Sequence, residues 1–408
     1  MAPLSKSGGK PPHSEGGVHS AVRASHAICC FLPPHILRHI AEHADGELRE
    51  RAYETLEESA QMRGERAVVA TIAGAIVVPA GEKRRTVYDA GQGRDLPGKL
   101  VRGEGDPATH DAAVDEAYDG AGKTYDFYQK VYARNSIDDR GLRLDSTVHY
   151  GVGFDNAQWN GRQMIYGDGD GKLFQRFTKC LEIIGHELTH GVTQYTAALA
   201  YNDQPGALNE HFSDVFGILV KQYSLKQTAG KSDWLIGAGL FTKRVHGAAV
   251  RSMKAPGTAY DDPLLGKDPQ PAHMRSYKRT RSDNGGVHIN NGIPNHAFYL
   301  AATRLGGKAW EVAGRIWYAA LTAKLSSRAQ FGDCADATFE AAGNLFGIGS
   351  APQHAVAEAW KAVGVPVSAT VLAGEPRLTL REVALQPASA TQLPPEPRAR
   401  RSRQRRIS

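Results

Sequence analysis

Apolar positions change their spacing several times along the chain, and each change predicts a different kind of element. Ile36, Leu37, Ile40 and Ala44 share one stripe at helical spacing, and a second amphipathic stretch runs from about Glu47 to Met62. After Arg66 the residues turn small and β-branched, then basic at Lys83-Arg84-Arg85, which reads as a boundary. From Thr86 to Gly171 strand-like runs alternate with Gly and Asp turns. Thr147-Val148-His149-Tyr150 and Gln163-Met164-Ile165-Tyr166 read as strands, the latter ending in Gly167-Asp168-Gly169-Asp170-Gly171. One helix, about Ala108 to Val131, carries Ala113, Ala117, Tyr118, Tyr125, Phe127 and Tyr128. From Phe174 to about Gly364 the chain is largely helical with loops. Residues 1–24, rich in Ser, Gly, Pro and Lys, and 366–408, rich in Pro, Ala, Glu and Arg, show no apolar period and are expected to be disordered.

The chemistry concentrates in Ile183-Ile184-Gly185-His186-Glu187-Leu188-Thr189-His190. Two histidines four apart on a helix project from one face, so both imidazoles reach a single cation. Zinc accepts neutral imidazole, and a catalytic site keeps one of its four positions open for water, whose pKa falls to roughly 7. Glu187, between the histidines, is the natural base for that water. Alone, the pattern also fits a surface helix with two solvated histidines. Asn209-Glu210-His211-Phe212-Ser213-Asp214 shifts the balance. Glu210 supplies a third ligand from a second helix, and Asp214, four residues on, shares its face and is placed to accept the spare N–H of a ligating histidine.

At 408 residues the chain is long enough for two or three domains. Its 41% hydrophobic and 23% charged residues are ordinary for a soluble protein. The net charge of +6 misleads if spread over the whole chain: eight arginines against three glutamates lie beyond Pro366, and the remainder is close to neutral. Nucleic acid is therefore not an expected partner of the folded part, and a solvated tail is favoured over a polyanion-binding one. Cys29, Cys30, Cys180 and Cys334 show no metal-type spacing and are too few for a disulfide framework. Ala27–Leu32 is too short for a secretory signal core, and Ala67–Val78 is below the roughly 18 to 20 residues a membrane span needs.

With these motifs in place the chain resembles the thermolysin family of zinc metalloproteases, the gluzincins, from about Thr86 to Val365. The resemblance implies an α+β fold with a β-rich N-terminal lobe (67–190, including the zinc-ligand helix) and a mainly helical C-terminal lobe (191–365). Cys29-Cys30-Phe31-Leu32-Pro33-Pro34-His35-Ile36-Leu37 and the two-helix leader, 25–66, look like the short propeptide of protealysin-type members. By the same resemblance His186, His190 and Glu210 match the zinc ligands and Glu187 the general base. Tyr201 and His288 match the donors to the oxyanion of the tetrahedral intermediate, and Asp283 the carboxylate orienting His288. Asn156 and Ala157 resemble the edge strand that pairs with substrate backbone, a mode that binds extended peptides with little regard to side chain. Phe174, Phe177, Ile183 and Val250 align with the apolar lining of the S1′ pocket, with Arg251 at its rim. The set implies cleavage on the amino side of bulky hydrophobic residues, and two Phe in the lining favour Leu or Val over Phe.

The implied protein is a zinc-dependent neutral endopeptidase, made as a self-processing precursor whose own propeptide is an intramolecular inhibitor. Its partners are protein or peptide substrates, with no membrane partner. Relatives act outside the cell, so secretion is implied, with a cytoplasmic precursor pool as an option. Pro33-Pro34 is expected to dock against the cleft. Cys29 or Cys30 could replace water on zinc, although two buried structural cysteines is the preferred reading. A silent binding protein on the same scaffold would be signalled by loss of Glu187 or a ligand, and none is lost. Calcium is where the sequence departs from the pattern. Glu182 and Asp233 keep acids of the double Ca2+ site, but Lys221 and Ala238 stand at two of its other acid positions, and Ala248 replaces an acid near a further site. A lysine among the acids predicts a site absent or reduced to one ion, with its ammonium paired to Glu182 or Asp233.

Overall fold

In the computed structural model, residues 29–69 and 81–372 are described. The expected disorder of 1–24 and most of the basic tail lie outside them. The leader contributes strand β1 (Cys29–Cys30) and helices α1 (Pro34–His43) and α2 (Glu47–Val69). Pro34 opens α1 at a position where a missing N–H costs nothing, and Ile36, Leu37, Ile40 and Ala41 are the face it buries. Next come strands β2 (Arg85–Asp89) and β3 (Lys99–Arg102), helix α3 (Ala112–Tyr132), and strands β4 (Leu144–Val148), β5 (Ala157–Trp159) and β6 (Met164–Tyr166). They form one mixed sheet in the order β1-β5-β6-β4-β2-β3. β2, β4 and β6 run parallel in its middle; β3 and β5 are antiparallel at the flanks. The leader's β1 is antiparallel to β5, so a segment outside the catalytic lobes completes their sheet.

The helix expected from Ala108 starts later because Asp111 caps it, accepting from the N–H groups of Ala113 and Val114 at 2.8 and 3.2 Å. It lies against α4 (Leu181–Gln194), and a Cβ on Gly120 would come within 2.3 Å of Ile184. α4 is followed by α5 (Asp203–Ser224), nearly all of which is buried. Two-residue ribbons follow, β7 (Leu235–Ile236) with β8 (Arg251–Ser252), and β9 (Asp261–Asp262) with β10 (Gly266–Lys267). Helices α6 (Asp283–Asn290), α7 (Gly292–Leu305), α8 (Ala313–Ala323), α9 (Phe331–Phe346) and α10 (Ala351–Ala362) complete the second lobe. Trp317 of α8 stacks on Trp360 of α10 at 6.3 Å and donates to His211 of α5 at 2.8 Å.

The crossing of α4 and α5 is unusually close, and glycine permits it. A Cβ on Gly185 would sit 3.1 Å from the Gly217 Cα; one on Gly217 would meet the Glu182 carbonyl oxygen at 2.5 Å. Order also extends past the expected end at Val365. Helix α11 (Ala369–Leu372) follows, because Val367 and Val371 are buried and the Ser368 N–H donates to Asp336 at 2.7 Å. No described helix is long and apolar enough to cross a membrane.

Candidate active site

Helical spacing puts His186 and His190 on one face of α4, and the glycine crossing brings Glu210 of α5 to them. The two Nε2 atoms are 3.0 Å apart, and the Glu210 carboxylate lies 3.5 Å from each. Four donors about 2.0–2.1 Å from a tetrahedral ion stand about 3.3 Å from one another, so the spacing suits zinc. Ligand atoms of His186, Glu187 and His190 also lie within 4.8 Å of one another. The protonation pattern demands a cation there. His186 Nδ1 is 2.8 Å from Asp214, and His190 Nδ1 is 2.8 Å from the Asn209 side-chain oxygen and 2.9 Å from the Ser213 hydroxyl. With both Nδ1 protons donated to these acceptors, the two neutral rings turn Nε2 lone pairs toward each other and toward a carboxylate. That arrangement is repulsive unless a positive charge sits among them. Glu210 Oε2 is moreover buried without a hydrogen-bond partner among the described residues. In the protein alone the charge falls on a proton: burial opposes it, but Asp214 and Glu210 prevail and raise His186 to about 9. Burial likewise works against Glu210 as an anion, yet His288, His190 and His186 hold its carboxyl well below the usual range.

Asp214 is held as firmly as the ligand it orients. One oxygen accepts from His186 and from Arg251 Nη2, both at 2.8 Å. The other accepts from Arg251 Nε, Asn291 and Asn295, each at 2.9 Å. Arg251 is thus no rim residue. It is buried, because it must pair with a buried carboxylate, and its remaining donor reaches the Phe31 carbonyl of the leader at 3.1 Å.

Glu187 stands beside the cluster. Its Oε2 accepts the Trp159 backbone N–H of β5 at 2.8 Å, and Oε1 is buried with no hydrogen-bond partner among the described residues. Burial pushes this carboxyl up to about 8. His288 approaches from the second lobe on a segment that enters α6 through a left-handed turn. Asp283, Asn284, Gly285 and Gly286 have φ of 54°, 49°, 85° and 78°, and a Cβ on Gly285 would strike Asp203 at 2.3 Å. The turn folds Asp283 back onto His288, whose Nδ1 and backbone N–H reach it at 2.6 and 2.9 Å. Burial disfavours charge on the His288 ring, but Glu210 and Asp283 raise it, so the ring is a donor. Tyr201 donates to Glu210 and lies 3.2 Å from His288 Nε2.

The leader fills the cleft with Cys30–Leu32; the buried Pro33 and Pro34 follow, and Pro34, which opens α1, lines a small cavity with Tyr201, Asp283 and His288, as expected of a segment docked against the cleft. Pairing with an edge strand needs N–H groups, which prolines lack. The Phe31 N–H donates to the Ala157 carbonyl at 3.0 Å and the Leu32 N–H to the Asn156 side chain at 2.9 Å. The Phe31 ring meets His186 at 5.4 Å and Phe177 at 6.4 Å, with Phe174 behind Phe177 at 6.3 Å. Val250 packs beside Gly237, where a Cβ would meet both Val250 and Phe31; Ile183 is buried in the same core. This pocket therefore admits a phenyl ring when the leader presents it. The Cys30 thiol donates to Gln158 at 3.3 Å rather than joining the metal cluster, while the Cys30 carbonyl accepts from His288 Nε2 at 2.9 Å. Lys221 pairs with Asp233 at 3.0 Å and Glu182 at 3.3 Å, the ion pairing expected from the lysine among those acids.

Sequence reasoning missed Asn209, Ser213, Asn291, Asn295 and Gly237. Asn209 and Ser213 stand within the Glu210 motif and were open to the same helical-face argument. Asn291, Asn295 and Gly237 carry no local signal.

Two lobes joined at a His–Glu–His helix, with a third ligand from the next helix, define a metallopeptidase. The thermolysin metallopeptidase catalytic-domain model matches residues 79–194, its alpha-helical domain model 197–365, and the protealysin propeptide model 29–66. An extracellular metalloprotease of Pectobacterium carotovorum is 51% identical over 351 residues, covering 84% of this chain and 98% of that protein. Protease PrtS of Photorhabdus is 51% identical over 286 residues, 69% of this chain and 76% of its own. The structure of the protealysin precursor from Serratia proteamaculans superimposes with a TM-score of 0.76 at 52% identity, covering 83% of this chain and 99% of that one. The chain belongs to the thermolysin metallopeptidase family, as a protealysin-like metalloendopeptidase carrying its own propeptide. That family is zinc-dependent.

Proposed function

We propose that this is a zinc-dependent neutral endopeptidase that cuts on the amino side of bulky hydrophobic residues and is held latent by residues 25–66. The observation that carries the reading is the convergence of His186, His190 and Glu210 on one point, with an unpartnered oxygen of Glu187 beside it. His186, His190 and Glu210 would hold the zinc, which when bound supplies a Lewis acid to polarise the carbonyl and acidify water. Glu187, raised by burial toward neutrality, takes a proton from the attacking water and returns it to the leaving nitrogen. His288, whose charged form Glu210 and Asp283 favour, and Tyr201 donate to the oxygen where negative charge develops. Asn156 and Ala157 align the peptide backbone, Arg251 holds the carbonyl that follows the bond, and Phe174, Phe177, Ile183 and Val250 supply the apolar pocket. The extracellular metalloprotease from Pectobacterium supports secretion. The test is casein hydrolysis by the processed wild type against Glu187→Gln, with zinc content measured on both. Loss of hydrolysis with about one zinc per chain retained supports the reading; an active variant overturns it.

A further inference from the structure

The leader sits in the cleft with a precision that blocking does not require. Cys29 and Cys30 pair antiparallel with Trp159 and Gln158, and the pairing continues through the Phe31 and Leu32 N–H groups onto Ala157 and Asn156. This places one peptide bond, Cys30–Phe31, at the site. Its carbonyl oxygen is 2.9 Å from His288 Nε2, the same atom that lies 3.5 Å from Glu210. The side chain after the bond occupies the apolar pocket edge-on to His186, under the Arg251 guanidinium at 4.7 Å. Bulk alone would close the cleft. Orientation of a carbonyl on an oxyanion donor is what a substrate needs.

We propose that the enzyme presents its own Cys30–Phe31 bond to the catalytic centre as a substrate, so that the leader is hydrolysed slowly in cis at this bond. The proposal rests on the peptidase reading above. Water adds through oxygen to the Cys30 carbonyl carbon, and Glu187 accepts its proton. The C–N bond then breaks and that proton passes to the Phe31 nitrogen, leaving a carboxyl on Cys30 and an amine on Phe31. The Phe31 end stays tethered, because it is continuous with α1, whose Ile36, Leu37 and Ile40 are buried, while Cys29–Cys30 is then held by its pairing with β5 alone. A tethered Phe31 rebinds faster than it leaves, so a nick at this bond leaves the pocket filled and activity still suppressed.

The experiment is a time course of the full zinc-loaded chain at several concentrations, read by intact mass and N-terminal sequencing, with casein hydrolysis assayed in parallel. Expected are a species beginning at Phe31, formed at a rate independent of protein concentration, and its absence in Glu187→Gln. Phe31→Asp should slow this cut by about tenfold or more by putting a charge in the apolar pocket. If that variant does not fold, the wild-type time course and Glu187→Gln decide alone. Casein hydrolysis without a cut between residues 30 and 31, or a rate proportional to concentration, overturns the proposal and leaves the peptidase reading standing. Neither the cut nor casein hydrolysis, the latter measured also after the leader is removed, overturns both.

Discussion

Glu187 and His288 line the same site but should fail differently when removed. Glu187→Gln keeps the shape and the Trp159 contact while losing the base, so turnover should fall by about 10²–10⁴ with metal content unchanged by elemental analysis. His288 acts only where charge develops. His288→Ala should therefore lower kcat by about 10²–10³ and move KM little, checked with a short peptide substrate after leader removal. Arg251 shows why a residue's role depends on its partner. A guanidinium that holds Asp214 with two donors and a peptide carbonyl with a third serves both the metal cluster and the substrate.

Among the elements, the α4–α5 pair carries the site, and its weak point is the glycine crossing. Gly217→Ala would drive a methyl into the Glu182 carbonyl and the His186 backbone nitrogen, 2.5 and 3.1 Å away. Backbone cannot swing aside as a side chain can, so the helices must part. The expected cost is about 1–3 kcal/mol in denaturant unfolding, with reduced zinc occupancy because Glu210 retreats. At the far end of the same pair Lys221 neutralises the buried Glu182. Lys221→Ala should cost about 3 kcal/mol by stranding that carboxylate. In the unaltered chain, calcium titration should show fewer than two ions bound, since an ammonium already occupies the space between the acids.

For the whole molecule, pH tests the joint between the sheet and α3. His149 lies 2.8 Å from Asp168 and 3.0 Å from Asp111, the residue that caps α3. Its hydrogen bond to Asp168 is the main cause that raises it from 6.5 to about 9. A raised folded value means the stabilisation is complete below 6.5 and is lost as pH climbs through about 9. Thermal unfolding should show Tm falling across that window, and His149→Gln should flatten this part of the profile. Latency belongs to this scale too, because the leader closes the sheet, fills the pocket and caps the cleft together. Activity should appear with loss of about the first 60 to 80 residues by mass; full activity of the uncleaved chain would end the idea.

What the sequence determined by itself was local and periodic. A four-residue spacing on a helix dictates a shared face, so His186 with His190, and Glu210 with Asp214, were legible before any fold was known, as were the leader's helices. The pairing of Lys221 with Glu182 and Asp233 needed the family resemblance to put the three together, after which charge dictated the pair. Tertiary structure decided everything that depends on which surfaces meet. A strand shifted by one residue presents its other face, so nothing local could say that Phe31, and not the prolines after it, would enter the pocket. Nothing local sent the Cys30 thiol to Gln158 while its carbonyl met His288, buried Arg251 against Asp214, or brought Asn291 and Asn295 to the same carboxylate. Those positions are set by the sum of many distant contacts, and that sum exists only in the folded chain.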